Sequence, residues 1–354
     1  MNTLKRLLFL CFALCAAIST SAHAAEADSN LPNIILINAD DLGVGDISGL
    51  NPEGKIPTPH IDRMIDNGLA FLNGHSSSGV CTPSRYTLLT GRYSWRASFR
   101  GQVAKGNSPP RIEAGRTTLA SLLKQAGYRT AMIGKWHLGL AWQPLPNTPE
   151  AAIIPLDAID YEKAFRGGPV DYGFDSFFGI AASLDFPPYV WLIDDRASEV
   201  PTAHQPLVNK VPGGYLREGP KAESFEMVDV LPRMGDEAVA LIQDCAPEAK
   251  QGRPFFVYLA LSSPHGPIVP SPEWAGKSEL GSPYADFTMQ TDGVVGQVLE
   301  ALRATGLEDD TIVIFTADNG CSHIADFPYL LERGHNPSYL YRGQKADLYE
   351  GGNR

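Results

Sequence analysis

The chain has 354 residues, 44% of them hydrophobic, and a formal net charge of −11. That composition supports a large buried core and excludes a disordered or fibrous chain. The acidic balance argues against a nucleic-acid partner, which requires a basic face.

Lys5 and Arg6 precede the apolar run LLFLCFALCAAI (7–18), and Ala22-His23-Ala24 forms a small-x-small site. The pattern predicts a secretory signal peptide over residues 1–24 and a mature chain over 25–354. The run is short for a membrane anchor. Phe12-Ala13-Leu14 before Cys15 is a poor lipoprotein signal. No later segment is apolar enough to span a membrane, so the expected location is the periplasm or the extracellular space. Cleavage removes Cys11 and Cys15 and leaves Cys81, Cys245 and Cys321. No pairing scheme uses all three in an oxidising compartment, so one thiol should have another fate. No CxxC or Cys/His spacing supports a zinc site. Cys245 and Cys321 read as buried thiols, with a disulfide between them left open.

Four apolar runs read as buried parallel strands: NIILIN (33–38), YRTAMIG (128–134), FFVYLAL (255–261) and TIVIFTA (311–317). Between them the spacing predicts helices. One opens at Thr58-Pro59 and stops at Gly68. Another is capped by Thr117, carries Leu119, Leu122 and Leu123 on one face, and ends at Gly127. A third runs from about Asp292 to Gly306. Strands alternating with helices imply an α/β fold with a mostly parallel central sheet and helices on both faces. Residues 141–230, rich in Pro with scattered aromatics such as DFPPYVWLIDD (185–195), read as a long, partly irregular insertion near the site.

The residues just past each strand carry the chemistry. Asp40-Asp41 comes after the first, Lys135-Trp136-His137 after the second, Ser262-Ser263-Pro264-His265 after the third and Asp318-Asn319 after the fourth. Ligands of open α/β sheets bind beyond the carboxyl ends of the strands. The Asp-Asp pair alone reads as a loop and helix cap. With Asp318-Asn319 after another strand, the hard oxygen donors point to Ca²⁺, with Mg²⁺ as the alternative, rather than zinc. TPSRYTLLTG (82–91) reads as a short helix with Cys81 at its N-terminus, where free N–H groups favour an anion. Arg85 falls one turn along the same face. A nucleophile beside a guanidinium and a cation suits an anionic tetrahedral substrate. His60, His75, His204 and His335 read as structural or surface residues, and His323 stays open.

CTPSRYTLLTGR (81–92) resembles the signature C-x-P-S-R-x-x-x-L-T-G-R of the formylglycine-dependent type I sulfatases at every fixed position. GKWHLG (134–139), SPHGP (263–267), TADNG (316–320) and GQKADLYEGGNR (343–354) resemble that family's other blocks, in order. The resemblance implies an alkaline-phosphatase-like fold and a sulfuric ester hydrolase. It implies that a maturation enzyme converts Cys81 to formylglycine (3-oxoalanine), and that Asp40, Asp41, Asp318 and Asn319, with position 81, hold the cation. It further implies that Arg85 polarises the nucleophile, that His137 accepts a proton and that His265 protonates the leaving alcohol. Lys135 and Lys345 would hold sulfate oxygens, and Ser183 falls near the place of a sulfate-contacting serine.

A sulfated carbohydrate is the expected substrate, with a small aryl sulfate as an artificial one. The alternatives are a phosphodiesterase or phosphonate hydrolase of the same superfamily, or an inactive truncated fragment. The given sequence stops at Arg354, the last residue of the EGGNR block, whereas the family continues into a smaller C-terminal antiparallel subdomain. The resemblance thus implies a C-terminally truncated catalytic domain.

Overall fold

The computed structural model describes residues 31–99, 102–211 and 214–354. The expected signal peptide, residues 1–24, lies outside the described residues.

In chain order the strands are β1 (Asn33–Asp40), β2 (Arg129–Lys135), β3 (Ser176–Ile180), β4 (Leu192–Ile193), β5 (Arg196–Ala197), β6 (Ala203–Gln205), β7 (Val208–Val211), β8 (Gly214–Leu216), β9 (Gly219–Lys221), β10 (Phe255–Pro264) and β11 (Thr311–Ala317). The main helices are α1 (Pro59–Asn67), α2 (Cys81–Thr90), α3 (Leu119–Gln125), α4 (Val230–Ala249) and α5 (Pro283–Thr305). Among the described residues, seven strands form one sheet in the order β11-β1-β10-β2-β3-β4-β5. The first four pairings are parallel, and β4 and β5 add an antiparallel edge.

The four apolar runs are the consecutive parallel strands β11-β1-β10-β2, which run inward from one edge of that sheet. All ten residues of β10 are buried, as expected of a strand covered on both faces. Helices α4 and α5 pack on each other and on β10, while α3 packs on α2 and β2. The sheet's other end is less covered. Ile312 and Ile314 on β11 are about half exposed. A groove of about 760 Å³ runs between that strand, Met64 and Ile65 of α1, and Leu69 to Leu72.

Three expectations need correction. Thr118, not Thr117, caps α3, accepting from the Ser121 amide. Helix α5 begins at Pro283, well before Asp292. Its first turns bury Asp286, Thr288, Gln290 and Thr291, and these polar core residues hide the apolar period. Two of these side chains are taken up by backbone amides: Gln290 accepts from that of Ser271, and Asp286 from those of Gly276 and Ser278. Finally, the stretch read as an irregular insertion supplies β3, β4 and β5 to the main sheet. These strands are short and Gly- or Asp-punctuated, so period-two patterning has little length to act on.

Register aligns the strand ends. Ala39 pairs with Ala317, and Asp40 with Pro264, after an irregularity between Asn38 and Asp40. Gly134 pairs with Ala260 and Lys135 with Ile180. The charged residues after each strand therefore emerge on one rim. Gly134 has φ of +110°, and a β-carbon there would lie 1.9 Å from the Ala260 carbonyl oxygen.

Gly134→Ala is expected to destabilise the protein by about 2–4 kcal/mol, through left-handed strain plus the clash. Gly127 has φ of +93° and nothing within 4 Å of an added β-carbon. Gly127→Ala should therefore cost only about 1–2 kcal/mol. Chemical denaturation of both variants checks the difference, and equal losses would contradict the close approach.

Candidate active site

Cys81 opens α2. The preceding Val80 offers no side-chain cap to the first turn's amides. Cys81 is buried, with Sγ 3.4 Å from Asp40 Oδ1 and 3.6 Å from Lys345 Nζ. Arg85, one turn on, is fully buried. Its Nε donates to Asp318 Oδ2 at 2.9 Å and its Nη1 to the Lys135 carbonyl at 3.0 Å. Its Nη2 lies 2.9 Å from Asp318 Oδ2 and 3.7 Å from Asp40 Oδ1. The remaining expected groups converge on the same place. Lys135 Nζ donates to Asp40 Oδ2, and Lys345 Nζ lies 2.6 and 2.7 Å from the Asp41 oxygens. His265 Nε2 lies 3.6 Å from Asp41 Oδ2.

Donor atoms of Asp40, Asp41, Cys81 and His265 all lie within 4.8 Å of one another. Asp318 stands beside that cluster, its oxygens meeting Arg85 and, at 3.3 Å, the Asp41 amide. Asn319 donates from Nδ2 to Asp41 Oδ1 at 2.8 Å, which leaves its Oδ1 buried without a hydrogen-bond partner. A buried orphan carbonyl beside adjacent carboxylates is what a hard cation would satisfy.

The electrostatics follow from burial. Burial by itself would raise Asp40, but Lys135, His265 and Arg85 hold it well below the usual carboxylate range. For Asp318, burial and then Asp40 prevail over Arg85, and it is pushed up to about 7. Asp41 raises Lys345 against the effect of burial. Burial, then Asp40, push the Cys81 thiol up, so the sulfur as it stands is a poor thiolate.

The two histidines are set differently. His137 Nε2–H donates to the Ala104 carbonyl at 2.8 Å, which leaves Nδ1 as a buried, unpartnered lone pair. Burial, then Lys135 and Arg85, hold His137 well below its ordinary value, so it is neutral, with its lone pair at Nδ1. His265 Nδ1–H donates to the Gly266 carbonyl at 2.5 Å, and burial followed by Lys345 lowers it. Ser183 Oγ, the last expected contact, is buried and without a partner.

Two features had no signal in the sequence. Thr82 occupies an unconstrained position of the signature, yet its Oγ1 donates to the His137 carbonyl at 2.8 Å and accepts from the Ala104 amide at 3.0 Å. It clamps the start of α2 to both backbone groups around His137. Asp46 accepts from Tyr284 Oη at 2.5 Å, the Gly43 amide at 2.9 Å and His335 Nε2 at 2.9 Å. His335 is buried, and its Nδ1 accepts from the Lys55 amide. It is thus structural, as read, and it braces the turn after Asp41. Cys245 and Cys321 are free and buried. His75 pairs with Glu350 near the surface.

The model of the sulfatase family matches residues 32–354. N-acetylgalactosamine-6-O-sulfatase of Bacteroides thetaiotaomicron is 35% identical over 361 residues, covering 92% of this chain and 67% of its own length. N-acetylgalactosamine-6-sulfatase of Mus musculus is 32% identical and covers 91% of this chain. This chain spans only 56% of that relative's length. A solved sulfatase from the glycosaminoglycan metabolism of Bacteroides thetaiotaomicron superposes with a TM-score of 0.77 at 33% identity, over 92% of this chain and 71% of that one.

Thr82→Val removes both hydrogen bonds of the clamp and strands two buried backbone groups, a loss of about 2–4 kcal/mol. Thr82→Ser keeps the hydroxyl and should recover most of that stability. Denaturant unfolding of the pair measures the difference, and equal stability of Val and Ser variants would show that the clamp carries nothing.

Proposed function

The chain belongs to the sulfatase family, and from that premise we propose that it hydrolyses the sulfate ester of a sulfated carbohydrate at the site built around position 81. The observation that carries the reading is the place of Cys81: buried at a helix N-terminus, 3.4 Å from an Asp40 oxygen and 3.6 Å from Lys345 Nζ. As a thiol it is held protonated, which supports its role as a precursor rather than the nucleophile itself. Formylglycine made from it by a maturation enzyme would supply, as its hydrate, an oxygen nucleophile and a second hydroxyl whose deprotonation allows sulfate to leave. A divalent cation, Ca²⁺ by donor chemistry, would be held by Asp40, Asp41, Asp318 and Asn319 with position 81, and would polarise that nucleophile.

The chain's own groups divide the remaining roles. Asp40, Asp41 and Asp318 are matched in formal charge by Arg85, Lys135 and Lys345. A bound dication therefore leaves the pocket net positive, which favours an anionic ester. Arg85, fixed by Asp318 and the Lys135 carbonyl, holds its charge beside position 81. Lys135 and Lys345 reach the same point from distant parts of the chain, suited to hold sulfate oxygens as negative charge develops on them. His137 Nδ1 is free to take a proton. His265 is the group suited to protonate the leaving alcohol, and the ester's negative charge would raise its affinity for that proton. The signal-peptide pattern expected over residues 1–24 supports export to the periplasm or beyond.

In protein from its native host, the peptide holding residue 81 is expected to weigh about 18 Da less than its cysteine form. An unmodified thiol in an active preparation would refute the nucleophile. Lys345→Ala is expected to lower kcat/KM for a sulfate ester by about 10²–10³. Chelation should abolish turnover and Ca²⁺ restore it, measured as sulfate release. Faster turnover of a phosphate diester than of any sulfate ester would replace this activity with a phosphodiesterase.

A further inference from the structure

Strand β3 runs parallel to β2 and ends on the same rim, so the loop that leaves it lies beside His137. The Trp136 amide donates to the Ile180 carbonyl and the His137 amide to that of Ala181, each at 3.0 Å. Two residues of this loop carry buried polar atoms with no partner, Ser183 Oγ and Asp185 Oδ1. Phe186 comes next, its ring centroid 6.0 Å from that of His137. Arg217, directly after β8, closes over this loop. Its guanidinium lies 3.7 Å from the centre of the Phe186 ring and 4.6 Å from that of Tyr215. Its Nη1 donates to the Asp185 carbonyl at 3.1 Å and to Asp185 Oδ2, and its Nη2 to Tyr215 Oη at 2.5 Å. At the start of the same strand, a β-carbon added at Gly214 would lie 3.7 Å from Pro267 Cα and 3.8 Å from Gly266 Cα, next to His265. The short strand thus reaches from the base-bearing loop to the acid-bearing loop.

We infer that Asp185 and Arg217, the latter stacked on Phe186, form the site that binds the uncharged, hydroxyl-bearing ring to which the sulfate is attached. This rests on the sulfatase reading of the neighbouring site. The physical case is one of satisfaction and charge. A carboxylate oxygen that is buried without a donor is costly, and a ring hydroxyl supplies the donor. Asp185 commits Oδ2 to Arg217 and keeps Oδ1 for the ligand. The pair is neutral overall, so it discriminates against a further sulfate or carboxylate on the bound ring and favours neutral hydroxyls. Nothing in an unsubstituted aryl group answers Asp185 Oδ1. A site built to hydrogen-bond a hydroxyl rejects an analogue that lacks it. The lysines and position 81 read the sulfate, and Asp185 with Arg217 reads the ring that carries it.

The test separates this from the activity. In a Cys81→Ala background, which cannot turn over, binding of N-acetylgalactosamine 6-sulfate and of 4-nitrophenyl sulfate is measured by calorimetry. The sugar sulfate is expected to bind more tightly than the aryl sulfate. Asp185→Asn, nearly isosteric, should weaken the sugar sulfate at least tenfold more than the aryl sulfate, and Arg217→Met should act in the same direction. Equal weakening of both ligands, no weakening of either, or a starting protein that holds the sugar sulfate no better than the aryl one overturns the assignment. Failure of the sulfatase reading shows separately, as absence of sulfate release from either compound by the Cys81-containing protein, and leaves the binding comparison legible.

Discussion

The pairing of buried Asp40 with Lys135 and Arg85 is the interaction on which the site depends. A carboxylate taken out of water on a central strand is tolerable only if cations accompany it. Here β2, one strand beyond β10, and helix α2 supply them, so the folded sheet and the charge cluster require one another. Asp318, Arg85 and the Asp41 amide extend the cluster to the next strand, and Lys345 arrives from the far end of the chain. Position 81 sits where these charges meet. Its environment is therefore a property of the whole sheet edge rather than of the helix that bears it.

Strained backbone accompanies this arrangement. Asp41 and His137 both have left-handed φ, +64° and +57°. Such conformations persist only where the surroundings over-determine them. Around Asp41 the constraint is the Asp46 hub with Tyr284 and His335, together with the Gly45 amide on the Pro337 carbonyl. Around His137 it is Thr82, Ala104 and the β3 loop. Both turns aim side chains off the ends of parallel strands, and both are braced by groups distant in sequence. A site held in this manner needs little reorganisation to meet a charged substrate.

The stretch between β2 and α4 ties recognition to chemistry. Part of it completes the sheet through β3, β4 and β5, and part passes over the rim as the segment bearing Tyr215 and Arg217. Because β3 is hydrogen-bonded to β2, any group on the loop after it is fixed relative to His137. This gives one chain segment two duties, extending the core and facing the ligand, and explains why its sequence is neither regularly periodic nor loop-like throughout.

By itself the sequence determined the four long parallel strands, the α2 helix from Cys81 to its Gly91 stop, and the chemical kind of each group at the strand ends. These are local properties: continuous apolar runs, terminator glycines, and charged residues directly after each run. The tight block around Cys81 carried the family as well. Only the tertiary structure decided the rest. Three edge strands were too short to show a period, and the first turns of α5 were masked because their buried faces are polar. Thr82, Asp46, Asp185 and Arg217 are ordinary residues in sequence. Their roles arise from distant partners: Arg217 and Asp185 are 32 positions apart, and Asp46 and His335 are 289 apart. Charge and hydrogen-bond complementarity between distant segments is a property of register and packing, and no local pattern encodes it.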